Sequence, residues 1–131
     1  MNIHVPDQSR VIAAYGYDAQ SMIHCEECAE LIQAVSKMRR IAHRIGGPFD
    51  PYRTDEEARA YENLVEEVAD VCICLEQIRS MYGIYEAELQ EMVDKKCKRQ
   101  QARLEELGDP AAPAQPAEPD TAEDSQKGGA A

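Results

Sequence analysis

Apolar side chains return every three or four positions over most of this chain, the interval that stacks them on one side of an α-helix. The longest such stretch covers residues 17 to about 44. Gly46, Gly47 and Pro48 close it with two permissive residues and one that cannot continue a helix. A loop through Asp50 and Pro51 follows. Thr54 with Glu57 has the spacing of a capping box, in which hydroxyl and carboxylate each satisfy a free backbone N–H, so a second long helix is expected from there to about residue 82. Gly83 breaks it, and a third helix is expected from residue 84 to 107, before Gly108, Asp109 and Pro110. Upstream, Asp7 or Ser9 is placed to cap a short helix over residues 10–15 that Gly16 would stop.

The pattern predicts an all-α fold, a helical bundle of three main helices per chain filling one domain over residues 1–108. Beyond it the pattern changes in kind. Pro110, Pro113, Pro116 and Pro119 recur at every third position among Ala, Glu and Asp, which favours extended chain and buries nothing, so residues 109–131 are expected to form a disordered tail.

Composition strengthens the helical reading. Tryptophan is absent and Phe49 is the only phenylalanine among 131 residues, while Ala, Glu, Leu, Met, Gln, Arg and Lys abound. The net charge of -11 disfavours non-specific binding to nucleic acid or to an anionic membrane. It still admits a polyphosphate if metal ions and a local basic patch intervene. No apolar run approaches the roughly 20 residues that span a bilayer. Five cysteines, an odd number, with no charged-then-apolar leader before them, point to a reducing, cytoplasmic setting.

The most informative feature is where four acids fall. Around the first long helix, Ile23, Leu31, Ala34, Met38, Ile41 and Ile45 lie within about 40° of Glu27, and Glu30 is about 60° away. Around the second, Leu64, Val71, Cys74, Ile78 and Met81 surround the direction of Glu67, with Asp70 again about 60° round. An isolated ExxE is usually a solvated surface pair, but here two acidic pairs lie on apolar stripes. Burying an ionised carboxylate without a partner costs several kcal/mol, and mutual repulsion adds to that cost. The nearby cations Lys37, Arg39 and Arg40 are expected to point mostly off the stripe. A hard divalent cation with oxygen ligands, Mg²⁺ or its substitute Mn²⁺, is the expected counter-charge for Glu27, Glu30, Glu67 and Asp70. The spacing fits one ion or several.

The third helix carries Tyr85, Leu89 and Met92 on one face, and Lys96, Arg99 and Arg103 continue it. Cations favour helix C-termini in any protein, and these also suit the phosphates of a substrate.

The stretch His24-Cys25-Glu26-Glu27-Cys28-Ala29-Glu30-Leu31, followed by Glu66-Glu67-Val68-Ala69-Asp70-Val71, resembles the EExxE and ExxD motifs of the MazG-like all-α nucleoside triphosphate pyrophosphohydrolases. The likeness extends to Tyr15-Gly16 and to Lys96, Arg99 and Arg103, covering roughly residues 10 to 105. It implies Mg²⁺-dependent cleavage of a nucleoside triphosphate between the α and β phosphates to a monophosphate and pyrophosphate, with a role in nucleotide-pool clearance. Glu27, Glu30, Glu67 and Asp70 take the metal-ligand places. Glu26 and Glu66, about 100° round from the paired acids, are placed to bind a further ion or orient the attacking water. The long connection from Glu30 to Glu67, with its loop over residues 46–53, departs from the compact family pattern. Phe49 and Tyr52 in that loop are placed to stack on a base or to anchor the loop, the second being the commoner use.

Other sites fit less well. A zinc site on Cys25, Cys28, Cys72 and Cys74 fails because residues two apart on a helix diverge by about 200°. A di-iron centre needs histidine where Glu30 and Asp70 stand. His24 is expected as a surface or partly buried side chain rather than a ligand. Gly46-Gly47-Pro48 lacks the glycine-lysine spacing of a phosphate loop. The alternative from another class is a non-catalytic helical adaptor with a structural metal. Three amphipathic helices enclose a metal site and a nucleotide poorly, so a homodimer or tetramer with the site near a subunit interface is expected.

Overall fold

Asp7 starts the first helix by accepting the Ser9 N–H at 3.1 Å and the Ser9 hydroxyl at 2.6 Å through its two carboxylate oxygens. In the computed structural model, which describes residues 3–108, this produces α1 (Ser9–Tyr15), then α2 (Tyr17–Ile45), α3 (Asp55–Met81) and α4 (Glu86–Leu107). The class is all-α, with no strand among the described residues. Four helices form rather than three: α1 stands as an element of its own, and Gly16 lets the chain turn into α2 at φ +84°. The proline-rich segment expected to be disordered lies outside the described residues.

The punctuation read from the sequence acts where expected. Gly46 ends α2 in the left-handed region at φ +78°, a conformation that costs glycine little, and its N–H reaches the Ala42 carbonyl at 3.0 Å. Thr54 caps α3, its hydroxyl accepting the Glu57 N–H at 3.1 Å. The reciprocal half of the expected capping box differs. Glu57 is fully buried, and its carboxylate accepts the Asp50 N–H at 3.3 Å, the Thr54 hydroxyl at 3.1 Å and the Arg53 guanidinium. Arg53 also donates to the Pro48 carbonyl at 3.1 Å. One buried carboxylate thus ties the loop to the start of α3, and Arg53 beside it holds its carboxyl at about 2.

The chain divides into two compact units, Met1–Leu89 and Gln90–Ala131. In the first, α2 and α3 pair antiparallel: Arg44 meets Glu56 near the loop, and His24 meets Gln77 far from it. The predicted stripes face inward. Ala34 and Ile41 of α2 and Cys74 and Met81 of α3 are buried, joined by Ala60 and, from α1, Ile12. Ile45 departs from its stripe and is exposed at the helix end.

A polar chain runs across this core. His24 is buried rather than superficial, with Nε2 3.0 Å from the Gln77 Oε1; the Gln77 amide donates to Gln8 at 3.1 Å, and Gln8 to the Pro6 carbonyl at 2.9 Å. Burying these groups is tolerable because each has a partner. In the second unit, α4 is exposed along its described length through Leu107. Among the described residues no helix is long and apolar enough to cross a membrane.

Candidate metal centre

The antiparallel pairing brings Glu27 and Glu30 of α2 beside Glu67 of α3, near the middle of both helices. Glu27, Glu30 and Glu67 each bring a carboxylate oxygen to a common point, all within 4.8 Å of one another. Glu27 and Glu67 are half-buried and Glu30 is exposed. Two unit negative charges at that separation repel by about 1 kcal/mol in water and about 3 kcal/mol near a protein surface, more than an ordinary surface ion pair returns. Among the described residues, no lysine or arginine pairs with any of these three carboxylates.

Two further details describe the cluster. Asn63, one turn before Glu67, donates to its Oε1 at 2.9 Å and fixes the carboxylate. The other oxygen, Oε2, is buried and accepts no hydrogen bond. Burial first, then the charges of Asp70, Glu30, Glu67 and Glu26, hold the Glu27 carboxyl above its ordinary value. Beside them the buried Cys74 thiol is pushed up to about 11 by desolvation and then by Glu27, Cys28 and Asp70, so it stays protonated at neutral pH.

Of the four predicted ligands, three converge. Asp70 is half-buried and near enough for its charge to act on Glu27, but its oxygen is not among the three that meet. Glu26 and Glu66 are exposed on their helices. Lys96, Arg99 and Arg103 lie in the second unit, exposed on α4. Among the described residues, no cluster of three potential metal ligands includes a cysteine or histidine. Phe49 is half-buried, as an anchor would be, whereas Tyr52 is 94% exposed.

A polar cleft of about 320 Å³ opens directly off Glu30 and Glu67. Gln33, Ala34, Lys37, Arg40 and Asn63 complete its lining. Lys37 and Arg40, expected to point mostly off the apolar stripe, are exposed, and both line this cleft; measured from Glu30, Lys37 lies only about 20° round the helix, two turns on. Asn63 was overlooked, although its spacing of four before Glu67 puts it on the same face.

The donor set is all oxygen, carries formal negative charge and includes one buried acceptor with no donor, which suits a hard divalent cation. Comparison with protein-family models, with curated proteins and with solved structures finds no match to this chain.

Proposed function

We propose that this chain is a MazG-like, Mg²⁺-dependent nucleoside triphosphate pyrophosphohydrolase, with Mn²⁺ as a substitute ion. The observation that carries the reading is the convergence of Glu27, Glu30 and Glu67, with the Glu67 Oε2 buried and unsatisfied, beside a cleft that Lys37 and Arg40 also line. Glu27, Glu30, Glu67 and Asp70 hold the ion. When bound it neutralises the triphosphate and lowers the pKa of a coordinated water.

The chain's own residues supply the rest. Asn63 orients Glu67 through its 2.9 Å hydrogen bond, so the ligand oxygen is set before substrate arrives. Glu26 or Glu66 accepts a proton from the attacking water, whose oxygen bonds to the α-phosphorus as the bond to the bridging oxygen breaks and pyrophosphate leaves. Lys96, Arg99 and Arg103 are the cations that the family resemblance assigns to the phosphates. Self-association as a homodimer or tetramer is supported by apolar side chains that the hairpin leaves outward: Ile32, Val35, Val65 and Leu75 are all exposed.

Purified protein with Mg²⁺ is expected to release pyrophosphate from at least one member of a panel of ribo-, deoxyribo- and modified triphosphates, and to sediment above its 14.6 kDa monomer mass. Glu67→Gln should abolish release while leaving the helical circular dichroism intact. A second reading, a helical adaptor, is favoured by α4, whose Leu89, Met92, Leu104 and Leu107 are all exposed. Absence of turnover across the panel would favour the adaptor.

A further inference from the structure

The cleft beside the acidic cluster is mixed in sign: Glu30 and Glu67 line it together with Lys37 and Arg40, which stand two turns or more beyond Glu30 along α2. A lone cation is repelled by the basic pair and a lone anion by the acidic pair. The ligand that satisfies both is an anion that carries its own divalent cation, seated with the metal on the carboxylates and its oxygens on the ammonium and guanidinium.

What sets Lys37 and Arg40 apart is their place in this cleft. Arg44, Arg53 and Arg79 each pair with a glutamate, whereas most of the other described lysines and arginines enter no ion pair. Lys37 and Arg40 enter no ion pair among the described residues, although both line a cleft that contains two glutamates. Their direction is set by the backbone. Side chains of a helix lean toward its N-terminus, so Lys37 and Arg40, two turns or more beyond Glu30, lean back along α2 toward the cluster. Between them Lys37 and Arg40 present several N–H donors and no acceptor, which matches the oxygens of a phosphoanhydride and not a base or a sugar. The lining is too polar to bury an aromatic ring.

We infer that Lys37 and Arg40 receive the pyrophosphate half of the substrate, so that the polyphosphate lies along α2 from the carboxylate cluster toward the helix C-terminus. This rests on the pyrophosphohydrolase reading and changes its assignment of the leaving group, from Lys96, Arg99 and Arg103 on α4 to two residues seven and ten positions after Glu30. Inorganic pyrophosphate is then both the product and the simplest ligand of the cleft.

Calorimetric titration of the full chain with inorganic pyrophosphate in Mg²⁺ tests it. The double variant Lys37→Gln/Arg40→Gln is expected to weaken binding by at least about tenfold. Arg59→Gln, the same kind of charge change on an exposed arginine outside the cleft, should weaken it by less than about twofold. Both variants alter exposed side chains, and a melting curve verifies that each is folded. No binding to the wild type, or weakening confined to Lys96→Gln/Arg99→Gln/Arg103→Gln, overturns the assignment. Turnover measured alongside separates the two claims. Pyrophosphate binding that depends on Lys37 and Arg40 without turnover of any triphosphate would keep the subsite and sink the enzyme. Turnover with an unchanged KM in the double variant would keep the enzyme and sink the subsite.

Discussion

At the loop end of the α2–α3 hairpin, Glu57 is fully enclosed and every need of its carboxylate is met from within the chain, by the Arg53 guanidinium, the Asp50 N–H and the Thr54 hydroxyl. Midway along the same hairpin, Glu27, Glu30 and Glu67 crowd together with one amide between them as donor, and one oxygen of Glu67 is buried without any. The titration of the two regions diverges accordingly: Glu57 is held down at about 2, whereas Glu27 is held up by burial and by its acidic neighbours. Both regions place glutamates of the same hairpin, Glu57 and Glu67 on α3 and Glu27 and Glu30 on α2. The difference is whether the counter-charge comes from within: among the described residues the loop end has its own in Arg53, and the carboxylates midway along the hairpin have none.

The largest test of that contrast is Glu57→Gln. It keeps the shape, removes the charge and leaves the Arg53 guanidinium without its anion, so the melting temperature should fall by on the order of 10 °C. A fall of less than about 2 °C would mean the loop clamp contributes little.

Acid titration of the wild type comes next in size. A carboxyl whose folded-state value is depressed contributes stability above its ordinary value, and that stability drains away as pH falls toward the folded value. For Glu57 the window runs from its ordinary 4.5 down to about 2. Unfolding by urea at a series of pH values should show the wild type losing more stability across that window than Glu57→Gln.

The smallest effect has the opposite sign. Glu27→Gln relieves repulsion in the cluster, and because the Glu27 carboxyl is raised, its ionisation opposes folding at neutral pH. Without divalent ions the variant should melt about 2 °C above the wild type at pH 7, and the gain should vanish in acid. Millimolar Mg²⁺ should then raise the wild type more than the variant. Equal responses to Mg²⁺ would remove the distinction between the two regions.

Much of the fold was legible because its signals are local. Gly46 and Thr54 act through backbone geometry within one turn, so the ends of α2 and the start of α3 could be read from the sequence to within a residue or two. The azimuth of Glu27, Glu30, Glu67 and Asp70 on their own helices follows from the helical period alone. His24 was misplaced because its burial depends on Gln77, 53 residues on, and on Gln8 beyond that. That Lys37 and Arg40 share a cleft with Glu67 was not legible, because part of its lining, Asn63 and Glu67, comes from the helix that lies opposite.

The sequence by itself determined that the chain is helical, where its long helices begin and end, and that acids ride on two apolar stripes. Only the tertiary structure decided that Glu27, Glu30 and Glu67 meet more closely than Asp70 joins them, that Arg53 rather than a backbone N–H of Thr54 completes Glu57, and that Asn63, Lys37 and Arg40 border the cluster. Helical periodicity fixes the direction of a side chain on its own helix. The level at which two faces meet is set by the closure of the loop and the packing of Ala34, Ile41, Cys74 and Met81, which are relations between distant residues.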